Sequence, residues 1–472
     1  MSLINNVKWV SISQIVKILC QILGMFIFSR LLSPAEIGIM AMALVVVNFT
    51  NIFRDLGTSA AVIQQPTVTE ILKKTVFTLN VSFGVVVFFL VFFGAPLIAS
   101  FFNEPLLINV LRLVAFSFPI NSATAIHLSL LERDSNFSKI AIVEVASSVF
   151  ALFIAILFSM NGAGVYSLVA QTLLYSIFSA FGFIFNSSWK IGFAFNYQEI
   201  KRIFSFTANL LGFNFLNFFS RNLDQVIIGK NFSAVILGHY SLAYRLMLFP
   251  IQNITFVLTR SLYPILSRLQ DNPKDSFKTY LHSLKAIAII IPPLMAGIAL
   301  VSKDFIYVFF GEKWLPVASI LLWLAPVAVM QSFVSTTGSV FMSKGKTNIL
   351  LIISIYNAFL QISAFIIGGF FDILILIKLY LIANLLMFIP NMYLAIRVLS
   401  GKLMDFFSVL IKPCFATGLM VLVVSFSELY LPFKIESHLV NFILHVVLGG
   451  IVYTCMIFIL EKDFFLKRKQ CL

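Results

Sequence analysis

Long apolar runs alternate with short polar and charged stretches over almost the whole chain. Most runs hold about 20 residues or more, the length that an α-helix needs to cross the hydrocarbon core of a bilayer. Charged residues and Pro or Gly breaks separate the runs, and the pattern predicts an all-α integral membrane protein of about fourteen transmembrane helices. The predicted spans are 9–31, 37–63, 75–101, 106–131, 139–160, 163–187, 203–229, 236–262, 280–301, 315–342, 347–369, 373–396, 408–428 and 439–460.

The basic residues between the spans predict the orientation of the chain. Most lysines and arginines fall in one set of termini and loops, and the opposite set holds only a few. Cytoplasmic loops carry the excess of Lys and Arg, so we expect a multi-pass protein of the bacterial inner membrane with both termini in the cytoplasm. The residues of the poorer set are Arg30, Lys230, Lys303, Lys313, Lys378 and Lys434.

Composition agrees with the hydrophobic pattern. Of the 472 residues, 60% are hydrophobic and 11% are charged, which is far from the balance of soluble domains. The net charge of +14 would suit nucleic acid, but the basic residues recur between apolar segments instead of forming one face, so we expect no such partner. The four cysteines share no metal or redox spacing, and we expect neither a metal nor a cofactor.

A short motif recurs in the two halves of the chain, because 32–43 aligns without gaps with 232–243. The offset of 200 residues makes the first span correspond to the seventh, and a six-span repeat gives two lobes of the same membrane orientation. We expect these lobes at 1–188 and 189–400, followed by two additional helices at 401–472. The identical pairs are Ser33 and Ser233, Gly38 and Gly238, and Ala43 and Ala243.

The first two helices of each predicted lobe carry polar residues at steps of three and four, which place them on one helical face. We call each set a polar stripe. The stripes are Gln14, Lys17 and Gln21 in span 1; Asn48, Asn51, Asp55 and Thr58 in span 2; Asn214, Asn217, Arg221 and Asp224 in span 7; and Ser241, Arg245, Gln252, Thr255 and Thr259 in span 8.

Charged side chains within spans normally face the bundle interior or a watery cavity, because lipid exposure is costly. Bases outnumber acids within the spans, so the cavity should attract an anion. The acids Asp55, Glu144 and Asp224 are candidates for binding a coupling H⁺ or Na⁺. The candidate substrate-cavity residues are Lys17, Arg54, Arg221, Arg245, Gln14, Asn214 and Asn217.

Structural pairing is the alternative role for these charges. Arg221 and Asp224 lie three residues apart and can pair on one helix, and Glu144 or Asp55 can pair with an arginine of a neighbouring helix. Lys17 and Arg245 have no acid three or four residues away. They are therefore the stronger candidates for a role in the cavity.

Enzymatic functions fit the sequence poorly. No GxxxxGK[ST], HExxH or GxSxG motif occurs, so the sequence lacks common signatures of nucleotide, zinc and serine-hydrolase sites. The outward loops are also short for a membrane glycosyltransferase or polymerase. We expect a transporter and not an enzyme, with a cation-coupled drug extruder as the alternative transporter, for which an acidic cavity would be more suitable.

Several strings are shared with one known family. They are RLLSPAEIG at 30–38, RDLGTSAA at 54–61, RNLDQVIIG at 221–229, LGHY at 237–240, GEKW at 311–314 and SKGK at 343–346. Together they resemble the Wzx-type polysaccharide transport proteins, the flippases of O-antigen and colanic acid, over about residues 5–400.

This resemblance implies the fold of the multidrug/oligosaccharidyl-lipid/polysaccharide superfamily, with two six-helix lobes around a cavity and alternating access. It also implies a substrate, an undecaprenyl-pyrophosphate-linked oligosaccharide moved from the cytoplasmic to the periplasmic leaflet for O-antigen, capsule or exopolysaccharide. Membrane lipids, a polysaccharide polymerase and chain-length proteins are the implied partners. The polar stripes agree, because a pyrophosphate needs cationic partners and sugars need amides and hydroxyls.

Overall fold

The computed structural model describes residues 3–51, 58, 62–63, 65, 67–201, 218, 222–269, 271–430 and 437–462. Regular structure in these residues is helical, and no β-strand occurs among them. The helices are numbered so that each matches the predicted span of the same number. They are α1 Leu3–Leu31, α2 Pro34–Asn51, α3 Glu70–Phe102, α4 Leu107–Arg133, α5 Phe137–Met160, α6 Val165–Asn186, α7 222–231, α8 Ala234–Thr255 with its continuation Phe256–Arg268, α9 Pro273–Leu300, α10 Pro316–Ser343, α11 Thr347–Gly368, α12 Ile373–Val398, α13 Leu403–Tyr430 and α14 His438–Leu460.

The all-α membrane fold predicted from the sequence is confirmed. Among the described residues, twelve helices are long and apolar enough to cross a membrane, and Pro34–Thr50 of α2 is a shorter apolar helix. Most of the predicted seventh span, 203–229, lies outside the described residues, so only the end of α7 is seen. The prediction of about fourteen helices therefore agrees with the described helices in order and position.

Interrupted helices form α4, α8 and α10 within the described part of the chain. The two parts of α4 meet at Phe116, and those of α10 are Pro316–Val334 and Thr337–Ser343. In α8, the α-helix ends at Pro250, a π-helical turn occupies Ile251–Thr255, and α-helix resumes at Phe256. A proline removes one backbone donor and clashes with the carbonyl four residues earlier. Pro250 therefore interrupts the regular hydrogen bonding of α8 immediately before the π-helical turn.

The repeated motif marks the first turns of α2 and α8. Ser33 and Glu36 form a capping box, in which the Glu36 amide donates to Ser33 Oγ at 3.3 Å and the Ser33 amide donates to Glu36 Oε2 at 2.7 Å. At the equivalent place in α8, the Ile236 amide donates to Ser233 Oγ at 3.4 Å. The repeated serine is thus an N-cap in both copies.

The repeated glycine marks a close and reciprocal helix contact. A Cβ atom at Gly38 would lie 1.8 Å from the carbonyl oxygen of Ala234, and one at Gly238 would lie 1.9 Å from that of Pro34. Each distance is far below van der Waals contact, so only glycine fits either position. Because Pro34 and Ala234 are themselves equivalent by the offset of 200, each copy of the motif makes the same contact with the other.

The chain forms two compact units, Met1–Gly238 and His239–Leu472. In the first unit, α1 packs on α5, α5 on α6, and α3 on α4. In the second, α9 packs on α13, and α12 packs on α10 and α11. The boundary between the units falls inside α8.

Candidate functional site

An ion pair joins the polar stripe of α1 to α5. Lys17 Nζ lies 2.7 Å from Glu144 Oε2, and the two side chains are 32% and 22% exposed. The helices that carry them share a small apolar core, in which Phe28 of α1 and Leu32, just after its end, pack with Leu152 of α5. The sequence search for acids covered only the helix of Lys17, so it missed a partner 127 residues away.

A cavity of about 460 Å³ opens beside this ion pair, within the first unit. Most of its lining residues carry a hydroxyl, amide or ammonium group, and the others are Val47, Ala151 and Cys20. The polar lining residues are Lys17 and Gln21 of α1, Ser117 and Asn121 of α4, Ser148 of α5, and Gln171, Thr172, Tyr175 and Ser176 of α6.

The donors and acceptors of this lining suit a hydroxyl-rich ligand. The Thr172 and Ser176 hydroxyls donate to carbonyls four residues earlier in α6, at 3.0 Å each. Their oxygens still have lone pairs that can accept from a ligand. A side-chain amide supplies two donors and an acceptor, so Asn121 and Gln171 can both donate hydrogen bonds to sugar hydroxyls and accept hydrogen bonds from them. The cavity therefore has the chemistry of a carbohydrate or polar headgroup site.

Other members of the first stripes have different surroundings. Gln14 is exposed and lies one turn before Lys17 on α1. Asn48 Nδ2 of α2 lies 3.4 Å from Asn222 Oδ1 of α7. Asp224 is 2% exposed and engaged in contacts of its own within the fold. The carboxyl group of Asp224 is therefore buried in the fold, whereas that of Glu144 pairs with Lys17, which lines the cavity.

In the second unit, the stripe of α8 spans the π-helical turn. Arg245 is exposed and lies on the α-helical part, and Gln252 is exposed within the turn. Ser241 and Thr255 of the same stripe are 4% and 0% exposed. Single π turns inside α-helices occur frequently at functional sites. The stripe therefore crosses a change of helix type, and its residues differ in exposure on both sides of the change.

Five of the candidate residues lie outside the described residues, so their roles stay predictions. They are Arg54, Asp55, Asn214, Asn217 and Arg221.

Sequence reasoning missed an apolar groove in the second unit. It measures about 680 Å³ and lies between α9, α13 and α14, with Pro293, Met420, Phe442 and Tyr453 in its wall. Gly297 of α9 and Gly450 of α14 border it, and a Cβ at either would meet no atom within 4 Å. Glycines inside two long apolar helices were the available signal, since a missing side chain leaves room between helices.

Comparisons with known proteins place the chain in a family. A family model described as "Polysaccharide biosynthesis protein" matches residues 27–319, which is more than half of the chain. The chain belongs to this family. The resemblance to polysaccharide transport proteins expected from the sequence is thereby confirmed.

Similar sequences include proteins described by their part in the biosynthesis or transport of polysaccharides. The chain is 28% identical over 472 residues to the teichuronic acid biosynthesis protein TuaB of Bacillus subtilis, covering 98% of this chain and 96% of the relative. It is 26% identical over 372 residues to the lipopolysaccharide biosynthesis protein WzxC of Escherichia coli, covering 78% and 75%. It is 24% identical to the succinoglycan biosynthesis transport protein ExoT of Rhizobium meliloti, covering 97% and 93%.

Solved structures give the fold of the family member. The lipid II flippase MurJ in an inward closed conformation matches with a TM-score of 0.76 at 17% identity, covering 96% of this chain and 99% of that chain. An inward-facing multidrug transporter of the MATE family matches with a TM-score of 0.63 at 16% identity, covering 84% and 98%. The all-α fold implied by the sequence strings is thus shared with these two solved transporters.

Proposed function

We propose that the protein is a flippase for a lipid-linked oligosaccharide in surface polysaccharide biosynthesis. The substrate is an undecaprenyl-pyrophosphate-linked repeat unit, and alternating access carries it from the cytoplasmic to the periplasmic leaflet. One observation carries the proposal. A member of a polysaccharide biosynthesis family holds a cavity lined by hydroxyls, amides and Lys17 within helices long and apolar enough to span a membrane.

The substrate has two chemically different parts, and the two cavities match them. Sugars need hydrogen-bonding groups, which the cavity beside Lys17 supplies. A polyprenyl chain needs an apolar surface, and the groove of α9, α13 and α14 is lined almost entirely by aliphatic and aromatic side chains. The pyrophosphate needs cations, for which Arg245 and, outside the described residues, Arg54 and Arg221 are the proposed partners.

The remaining assignments follow from this function. We place the protein in the bacterial inner membrane with both termini in the cytoplasm. Translocation is coupled to H⁺ or Na⁺ through the carboxylates Glu144, Asp224 and Asp55. The flipped repeat unit passes to a polysaccharide polymerase and its chain-length proteins, and the protein itself performs no covalent chemistry.

Complementation tests the proposed function. In a bacterial host that lacks its own flippase but makes the matching repeat unit, the wild-type chain should restore surface polysaccharide, and Arg245→Gln should abolish it at an equal protein level in the membrane. Arg268→Gln is the matched control, because Arg268 is an exposed arginine at the end of the same helix. It should export normally.

Two other results would overturn the flippase assignment. Purified protein that elongates lipid-linked sugars would make it a polymerase. Drug resistance in an efflux-deficient host, together with no rescue of polysaccharide export, would make it a multidrug extruder of the same fold.

A further inference from the structure

The connector between α6 and the next predicted span is bound along the start of α3. This connector, 187–200, is anchored at several points. Trp189 Nε1 donates to Glu70 Oε2 at 3.1 Å, and the Ala194 amide donates to Thr78 Oγ1 at 3.2 Å. Further along, the Asn196 amide donates to Thr75 Oγ1 at 3.2 Å, and Thr69 Oγ1 donates to Glu199 Oε1 at 3.0 Å. The connector thus runs along α3 as far as Thr78 and returns.

The outer face of the connector is apolar and exposed. Four alternate residues are exposed: Ile191, Phe193, Phe195 and Tyr197 are 50%, 70%, 66% and 70% exposed. The Phe193 ring also packs edge-on against Phe77 of α3, with 5.3 Å between the ring centroids. The residues between them are half-buried against α3. Aromatic side chains are enriched where a membrane meets water, so this face suits the boundary between headgroups and acyl chains.

The length of α3 places the connector at that boundary. A helix of 33 residues is about 50 Å long, whereas the hydrocarbon core is about 30 Å thick. The ends of α3 therefore extend into the headgroup layers. From Glu70 to Thr78 the helix rises about 12 Å, which takes the connector from the headgroups to the first part of the acyl chains.

A charged pocket lies where the connector meets the ends of α3 and α4. It measures about 680 Å³ and includes Lys73, Lys74, Arg133 and Lys190, with Glu70 and Asp134 as its acids. The bases outnumber the acids. By the positive-inside rule this end of α3 is on the cytoplasmic side, where anionic lipids attract juxtamembrane basic residues.

Two of the bases have fixed structural partners. Lys73 pairs with Glu70 at 2.7 Å. Arg133 Nη1 donates to the carbonyls of Val62 and Gln65 at 2.7 and 2.6 Å. Lys73 and Arg133 therefore stabilise the wall of the pocket, and their charges are already engaged by the protein.

The other two bases are available to an anion. Among the described residues, Lys74 and Lys190 have no hydrogen-bonded or ion-paired partner on their side chains, and both border the pocket. The Lys74 stem passes beside Gly192, where a Cβ would lie 2.8 Å from Lys74 Cε. The glycine lets the connector lie close to this lysine, which positions Lys74 between α3 and the connector.

We propose that this pocket binds the phosphate of an anionic glycerophospholipid from the surrounding bilayer. Lys74 and Lys190 hold the phosphate, and one acyl chain lies against Ile191, Phe193 and Phe195. A bilayer phospholipid is present around the protein in large excess. Its charged headgroup would face the pocket, and its acyl chain would face the exposed apolar residues of the connector. This site is independent of the proposed flippase function.

Native mass spectrometry of the full chain in neutral detergent tests the proposal. The wild-type protein should retain phosphatidylglycerol over phosphatidylcholine of the same chains, and Lys74→Gln with Lys190→Gln should remove this preference. About fivefold weaker binding is expected for each lysine. Lys346→Gln with Lys402→Gln is the matched control, since both lysines are exposed in other loops on the same predicted side, and it should behave as wild type.

Three results would overturn the proposal: equal retention of the two lipids, a preference that survives loss of both lysines, or displacement of phosphatidylglycerol by an equal concentration of undecaprenyl phosphate. The last result would assign the pocket to the polyprenyl carrier instead. If the double variant fails to fold, the exposed Lys190→Gln alone should still weaken phosphatidylglycerol binding about fivefold. An unchanged affinity there would also contradict the site.

Discussion

Lys17 and Glu144 form an ion pair at the edge of the polar cavity, with 2.7 Å between Nζ and Oε2. This ion pair changes the role expected for each residue. A lysine without a partner would offer a full charge to a substrate, whereas a paired lysine offers hydrogen-bond donors and keeps α1 on α5. Binding a proton or sodium ion at Glu144 would weaken this pair, so the two proposed roles of the residues are coupled.

A double-mutant cycle measures the structural part of that role. Lys17→Met and Glu144→Gln should each lower the thermal stability of the purified protein, because each leaves one group without its partner. The double variant should lose less than the two single losses added together, with a coupling of about 0.5–3 kcal/mol. Additive losses would show that the pair contributes nothing to stability.

The reciprocal glycine contact predicts matched effects at two distant positions. Gly38→Ala and Gly238→Ala should each destabilise the protein by about 1–3 kcal/mol, because the new methyl group overlaps a backbone oxygen. Thermal unfolding in detergent provides the measurement. Gly94→Ala in α3 is the control, since a Cβ there meets no atom within 4 Å, and it should stabilise the helix by about 0.5–1 kcal/mol.

An ion pair with a buried carboxylate fixes the end of α14 to α9. Glu461, 3% exposed, lies 2.5 Å from Lys285 of α9. Lys285→Met should leave the carboxylate without a cation and destabilise the protein by about 3–5 kcal/mol, seen as a lower unfolding temperature and faster proteolysis near 461. Lys278→Met, at an exposed site on the same helix, should have little effect. If Lys285→Met with Glu461→Gln is as unstable as Lys285→Met alone, the uncompensated charge is not the cause.

Filling the apolar groove should affect export without affecting folding. Gly450→Phe places a ring in the groove, and Gly418→Phe in α13 places one on an exposed surface outside it. A Cβ meets no atom within 4 Å at either position. If the polyprenyl chain uses the groove, Gly450→Phe should reduce surface polysaccharide several-fold in the complementation assay, and Gly418→Phe should not. Equal export by both variants would exclude the groove from transport.

The helices were predictable because the bilayer imposes a minimum length and an apolar composition on every span. Apolar runs between charged residues and Pro or Gly breaks predicted the helix order, and the motif at Gly38 and Gly238 indicated the similar first turns of α2 and α8. The N-cap and glycine positions of the motif are local requirements, and a sequence displays local requirements directly.

The site was less predictable because it depends on contacts between distant segments. Glu144 lies far from Lys17 in the chain, and no pattern on either helix indicates which neighbour it contacts. Pro250 was visible in the sequence, but whether the helix would kink, end or form a π turn depends on packing around it. The groove is defined by absent side chains at Gly297 and Gly450, which sequence patterns treat as ordinary small residues.

The mutual contact of Gly38 and Gly238 makes the two copies of the motif depend on each other. When identical subunits meet across a two-fold axis, residue i of one contacts residue j of the other and the reverse. The contacts of Gly38 with Ala234 and of Gly238 with Pro34 have this form within one polypeptide. A side chain at either glycine would therefore push apart the first turns of both α2 and α8. Neither copy of the motif can change at this position without disturbing the other.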